Sequence, residues 1–463
     1  MHEQNGLTTM NSNPVTPRFT ASGIPTTYYN LFADACLPQE PALDPDTHAP
    51  VAPEKMAALF PAGLLEQEMG SDAHVPIAED ILEAYAMFRP TPLRRAVAFE
   101  RALGTRCQIY YKYEGASPVG SHKLNTALAQ AYYNAREGVR RLATETGAGQ
   151  WGTALAYSCQ RFGLSCSVYM VNVSYHQKPF RRTMMELYGA SVYASPSQQT
   201  AFGCTFARQN PAHHGSLGIA ISEAIEDAVT HPGTKYALGS VLNHVLLHQS
   251  VIGQEAIRQM DDLGAFPDVV IGCHGGGSNF AGIAFPFLRH KLDGRSLRII
   301  AAEPASCPTL TRGTYRFDHG DTAKMTPLMK MYTLGADFVP DPIHAGGLRY
   351  HGAAPQVSAL LAQGLVEAQA FPQTATFDAG RLFAAAEGIV PAPESSHAIA
   401  AAIQAARAAD AEGRTQRILF NLSGHGLLDL ASYGDYLAGR LTAAGGPDRQ
   451  AVNPAMRAET SGL

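Results

Sequence analysis

The stretch Asp268-Val269-Val270-Ile271-Gly272-Cys273-His274-Gly275-Gly276-Gly277-Ser278-Asn279 reads as a strand that runs into a glycine turn. Its first half is a short, continuous apolar run, the pattern of a strand covered on both faces in a parallel sheet. Its second half leads into Phe280-Ala281-Gly282-Ile283-Ala284, a helix start. In parallel α/β sheets, ligands gather at the carboxyl ends of strands. Consecutive glycines there let backbone N–H groups converge on a phosphate at a helix N-terminus, where the helix dipole also favours an anion. The spacing is neither the Walker pattern nor G-x-G-x-x-G, which disfavours a nucleotide. On its own, the glycine run also fits a flexible turn.

Outward from this strand the chain alternates. Gln108–Tyr113, Ser165–Val171, Ser296–Ala302 and Arg417–Leu422 read as further strands, and residues 122–140, 151–162 and 178–188 as helices. This order implies an α/β fold with parallel sheets built from βαβ units. Residues 1–85 are Pro-rich and irregular, an expected N-terminal arm without a core of its own. Phe88-Arg89-Pro90-Thr91-Pro92-Leu93 is an extended punctuator, since each proline turns the residue before it away from helix. We expect a first α/β unit mainly over 86–240, a second mainly over 241–445, and a polar tail over 446–463.

Composition narrows the function. The 463 residues are 46% hydrophobic and 16% charged, with net charge −5 and no basic block, so neither disorder nor nucleic-acid binding is expected. No apolar run reaches the ~18 residues of a membrane span, and the polar start does not read as a signal peptide. The seven cysteines are scattered without a C-x-x-C pair, which points to reduced thiols in the cytoplasm and to no metal site.

Two more segments carry chemistry. Ser121-His122-Lys123-Leu124-Asn125 places a lysine near a helix start, where desolvation and the dipole both favour the neutral, nucleophilic amine. Glu145-Thr146-Gly147-Ala148-Gly149-Gln150 places an acid/base beside small residues whose amides can hold a carboxylate. A surface lysine and a solvated glutamate are the plain alternatives. A lysine amine, a phosphate nest and a carboxylate together are what a Schiff-base enzyme acting on amino acids needs.

These segments occur with Glu387-Gly388-Ile389-Val390-Pro391, Glu394-Ser395-Ser396-His397-Ala398 and Leu422-Ser423-Gly424-His425-Gly426 in an order that resembles tryptophan synthase β chains, from about Arg89 to about Leu430. Lys112-Tyr113-Glu114-Gly115, Trp151, Gly239-Ser240-Val241-Leu242-Asn243-His244, the run from His344 to Gly352 and the long arm are similar to the second, often stand-alone branch of that family. The resemblance implies a fold-type II pyridoxal-phosphate enzyme, with two domains and the cofactor between them. It implies that Lys123 holds the cofactor and moves protons, and that Glu145 is the acid/base. Thr146, Gly147, Ala148, Gly149 and Gln150 would bind the amino-acid carboxylate. Gly275, Gly276, Gly277, Ser278, Asn279 and His122 would hold the phosphate, with Asn125 also on the cofactor. Glu387 would lie near the pyridine ring and Ser423 would bond its nitrogen. A serine there leaves the ring uncharged, a weaker electron sink suited to β-elimination and β-replacement.

The implied reaction is L-serine plus indole giving L-tryptophan and water. The alternatives are β-elimination of serine, threonine or phosphoserine, replacement by another nucleophile, or a regulatory subunit without catalysis. Pyridoxal 5'-phosphate is the expected cofactor, with a monovalent cation as a second candidate. A homodimer is expected and an α-subunit partner is left open. Three positions depart from the major branch: Trp151, where histidine is usual; His274, where an aliphatic residue is usual; and Arg349, where an aspartate meets the serine hydroxyl. Arg349 has two readings. It pairs with a carboxylate across the cleft, or it faces the β-substituent and favours an anionic leaving group.

Overall fold

Val269, Ile271 and Cys273 belong to one buried apolar cluster and Val270 to another, so alternate side chains of a single strand serve two cores. A strand apolar on both faces is stable only with a layer on each side, and this requirement organises the rest of the chain. The structure, a computed structural model, describes residues 23–442. The polar start and the expected tail lie outside the described residues.

In chain order the strands are β1 (Thr27–Tyr29), β2 (His74–Pro76), β3 (Leu93–Arg95), β4 (Gln108–Tyr113), β5 (Arg141–Thr146), β6 (Ser165–Val171) and β7 (Ser191–Ser195). They continue with β8 (Thr234–Tyr236), β9 (Val269–Cys273), β10 (Arg298–Pro304), β11 (Thr314–His319), β12 (Leu328–Thr333), β13 (Glu367–Phe371) and β14 (Arg417–Leu422). A six-stranded sheet has the order β13-β10-β9-β14-β4-β3, and a four-stranded sheet the order β7-β6-β5-β8. Within both, every pairing is parallel except β3 with β4 at the edge. β3 and β4 precede Lys123 in the chain yet pair in the sheet of β9. The four-stranded sheet is drawn wholly from residues 141–236.

The helices follow their sequence signals. Gly149, at φ +96°, precedes the helix Gln150–Phe162, and Gly163, at φ +73°, ends it in the left-handed conformation that costs glycine least. The helix Ser278–Leu292 starts at the glycine turn and carries Arg289 and Lys291 in its last turn, where cations complement the dipole. The segment before residue 86 forms short elements. β1 pairs antiparallel with β2, and Tyr28, Leu31, Ile81 and Tyr85 are buried in the cluster that also holds Leu124 and Phe280.

Candidate active site

The glycine turn leaves the end of β9 at the centre of the larger sheet. A Cβ on Gly276 would stand 2.5 Å from Ser240 Oγ, and one on Gly275 would stand 2.7 Å from the Leu348 backbone. Gly277 has φ +113°. Side chains are excluded at all three positions, so the amides line the turn at the start of the helix Ser278–Leu292, as a phosphate requires. The Asn279 side chain is committed elsewhere. It donates to the Cys273 carbonyl at 2.9 Å and accepts from Asn421 at 2.6 Å, which leaves only its backbone N–H at the turn.

Lys123 is brought to this turn by the neighbouring parallel strand β14, whose carboxyl end lies beside that of β9. The His122 backbone N–H donates to the Ser423 carbonyl at 2.9 Å, and Ser121 bridges Gly424. The loop after β14 therefore carries the start of the helix Leu124–Arg136. Lys123 Nζ donates to Ser278 Oγ at 2.9 Å and to the Gly239 carbonyl. Burial pulls its amine down to about 8, against the opposing charge of Glu145. The amine thus gives up its proton far more readily than a free lysine, as a Schiff-base lysine needs. His122 is buried and held down at about 3, first by burial and then by Lys123. Its Nδ1 faces the Ser423 carbonyl at 3.3 Å and its Nε2 faces Ser278 Oγ at 3.4 Å. A carbonyl only accepts, so the proton sits on Nδ1 and Nε2 is the acceptor.

Glu145 lies near the end of β5, and its carboxylate accepts from the Tyr236 hydroxyl at 2.6 Å. Burial raises it to about 7, although Tyr236 and Lys123 both favour the ionised form. The loop that follows is confined. Thr146 Oγ1 accepts from the Gly152 N–H at 3.2 Å, a Cβ on Gly147 would stand 2.5 Å from the Gly346 carbonyl, and one on Gly149 would stand 2.9 Å from Arg181 Cβ. Trp151 packs its ring on Gly239 and donates Nε1–H to Thr144 Oγ1 at 2.7 Å. A cavity of about 620 Å³ opens over Lys123, Glu145, Ala148, Trp151, Gly276 and Tyr350. Leu37, Met56 and Phe60 of the N-terminal segment close its far wall.

One expected site carboxylate lies elsewhere. Glu387 ends the helix Gln373–Glu387 and accepts from the Phe99 N–H at 2.9 Å, a structural cap away from the cavity. A second carboxylate that acts on Lys123 is that of Glu394. It is buried, accepts from the Gly347 N–H at 2.9 Å, leaves Oε2 without a partner, and acts electrostatically on both Lys123 and Arg349. The αL residue Gly388 stands between the two and turns the chain, and the Glu394-Ser395-Ser396 run was the available signal. Asn125 also faces elsewhere. Its amide accepts from Arg89 at 2.8 Å and donates to Gln249 at 2.9 Å and Glu114 at 3.2 Å, which anchors the helix behind Lys123. Ser423 Oγ lies 2.7 Å from Ser395 Oγ and 3.5 Å from Cys273 Sγ, a neutral hydroxyl pair below the lysine loop.

Arg349 crosses the cleft, but to a hydroxyl. It donates to Ser174 Oγ at 2.6 Å, has no carboxylate within ion-pairing distance among the described residues, and is pulled down to about 10 by burial. His274 is fully buried with neither ring nitrogen bonded, and burial holds it down at about 3.

An amine near its neutral form, a side-chain-free anion cradle beside it and a carboxyl poised near 7 fit pyridoxal phosphate and an amino-acid substrate. The comparisons agree. The model of the pyridoxal-phosphate dependent enzymes matches residues 86–424. The tryptophan synthase beta chain 2 of Thermotoga maritima is 58% identical over 410 residues, 89% of this chain and 97% of its own length. That of Aeropyrum pernix is 59% identical over 424 residues, 90% and 94%. Among solved structures, an L-serine ammonia-lyase from Rhizomucor miehei superposes with TM-score 0.58 at 16% identity, over 76% of this chain and 98% of that one. Threonine deaminase isoform 2 from Solanum lycopersicum does so with TM-score 0.57 at 18%, over 86% and 95%; these two share the fold. This chain belongs to the pyridoxal-phosphate-dependent enzymes and, within them, to the tryptophan synthase β chains.

Proposed function

We propose that this protein joins L-serine and indole to give L-tryptophan and water by β-replacement. The observation that carries the reading is that Lys123 and Glu145, each shifted toward neutrality by burial, feel each other's charge across one cavity next to the glycine turn. Pyridoxal phosphate, when bound, supplies the electron sink that weakens the Cα–H and Cβ–O bonds of the amino acid. The amides of Gly275 to Asn279 would hold its phosphate, and Lys123 would be its attachment point. The hydroxyl of Ser423 would serve the ring nitrogen without charging it.

The protein's own groups do the rest. The amides of Thr146 to Gln150 orient the substrate carboxylate. Lys123 Nζ takes the Cα proton and later returns it. Glu145, near its midpoint at neutral pH, gives a proton to the departing hydroxyl oxygen, which leaves as water. The carboxylate so formed receives the proton that indole releases as C3 bonds to Cβ. Loaded protein given serine and indole should make tryptophan, and borohydride should fix the cofactor on Lys123. Pyruvate and ammonia with no tryptophan would establish β-elimination instead. A homodimer working in the cytoplasm is part of this reading, and sedimentation of the loaded protein tests the dimer.

Arg349 supports a second reading of the amino-acid donor. A buried guanidinium with no carboxylate within 4.0 Å among the described residues suits an anionic β-substituent, so O-phosphoserine should exceed serine in kcat/KM, and Arg349→Asp should reverse the order. Equal losses for both donors in the variant would make Arg349 structural.

A further inference from the structure

The segment from Asn172 to Leu187, which follows β6 of the smaller sheet, is clamped at two places by residues from outside that sheet. Arg349 reaches Ser174, and Asp429, just beyond β14, binds two cations of the segment. Arg181 donates to Asp429 Oδ2 at 2.8 Å, and Lys178 Nζ binds Oδ1. Lys178, Arg181 and Asp429 are each 1% exposed. Arg181 Nε and Nη1 have no hydrogen-bond partner among the described residues. Among the described residues, neither cation has another carboxylate within 4.0 Å, so one buried anion faces two buried cations. A buried charge without its counterpart is costly, and a guanidinium with unbonded N–H groups adds to that cost.

The surplus lies beside the loop read above as the carboxylate site. A Cβ on Gly149 would stand 2.9 Å from Arg181 Cβ and 3.0 Å from Arg181 Cδ, so the arginine stem packs directly against the Gly149 backbone. We propose that Arg181, moored by Asp429, is a positioning residue that supports the Thr146–Gln150 loop and gives it its preference for a carboxylate. The substrate carboxylate supplies the missing negative charge. Because the mooring joins the segment to a residue outside that sheet, binding it favours the clamped arrangement. This inference rests on the carboxylate reading of the loop.

The test compares L-serine with L-serinamide, which lacks the carboxylate charge. Both are titrated into the cofactor-loaded enzyme and followed by cofactor absorbance, in wild type, Arg181→Met, Arg181→Lys and Gly149→Ala, with melting temperatures alongside. Arg181→Met should weaken serine about tenfold, leave serinamide unchanged and raise KM far more than it lowers kcat. Arg181→Lys should restore most of the preference. Should Arg181→Met fail to fold, Arg181→Gln carries the same comparison, with the same narrowing expected. Equal weakening of both ligands, or an unchanged preference, overturns the proposal. If Gly149→Ala weakens serine while Arg181→Met does not, only the role of Arg181 falls. If Gly149→Ala leaves both ligands untouched, the loop reading itself falls.

Discussion

Glu145 is balanced between two charge states by identifiable neighbours. Burial favours the neutral acid, while the Tyr236 hydroxyl and Lys123 favour the carboxylate, and the balance falls near 7. General acid–base help contributes ~10²–10⁴-fold, so Glu145→Gln should slow tryptophan formation by that order and keep the cofactor absorbance. Near-normal turnover would assign the proton to another group. Tyr236→Phe removes a donor from the ionised form only. The carboxyl should then titrate at higher pH, and the limb of the kcat/KM profile near 7 should move upward. An unmoved limb would show that Glu145 does not set it. The residue types of this pair differ in legibility. Glu145 was readable because a glycine loop follows it, whereas Tyr236 lies on β8, ninety-one positions away, and meets it only through strand pairing with β5.

The turn after β9 is the element on which cofactor binding depends. A methyl on Gly276 would meet Ser240 Oγ at 2.5 Å and Ser240 Cβ at 2.8 Å. Overpacking of this kind costs ~1–3 kcal/mol. Gly276→Ala should therefore raise the Kd for pyridoxal phosphate by about tenfold or more, read by cofactor absorbance, with the far-UV circular dichroism unchanged. Unaltered affinity would mean that the turn is not the phosphate cradle. Strand and helix were legible here because apolar continuity, a glycine run and a helix start are local signals. β5 was less so. Arg141–Thr146 mixes charged, apolar and hydroxyl residues, and its placement between β6 and β8 comes from the sheet.

At the scale of the molecule, a closed ionic network joins the extended Arg89–Leu93 segment, β4 and the helix Val251–Asp262. Glu255 accepts from Arg89 Nε at 2.8 Å, from Lys112 Nζ at 2.7 Å and from the Thr91 N–H at 3.1 Å, and Glu114 accepts from Arg89 at 3.0 Å. All four charged side chains are fully buried. Burial alone would raise Glu114, but Arg89 and Lys112 hold it down at about 2. Removing one partner of such a network strands the others. Glu255→Gln should cost ~3–5 kcal/mol in urea unfolding, whereas breaking the exposed Arg414–Glu412 pair should cost about 0–1 kcal/mol. Similar small losses for both would mean that the buried charges are not mutually dependent.

The sequence by itself determined the alternation of strands and helices, the glycine turn, and the chemical types of the lysine and glutamate segments. Each is a property of a few consecutive residues whose backbone preferences and apolar pattern act locally. Tertiary structure decided which of two carboxylates acts on Lys123. Glu387 and Glu394 are seven positions apart, and the turn at Gly388 sends the first to cap Phe99 and the second beneath Gly347. It also decided that Asn125 serves the ionic network, that Arg349 meets Ser174, and that Arg181 backs Gly149. These assignments depend on where separate strands bring their loops, and parallel sheet order, unlike local pattern, is fixed only when distant segments pair and bury their common core.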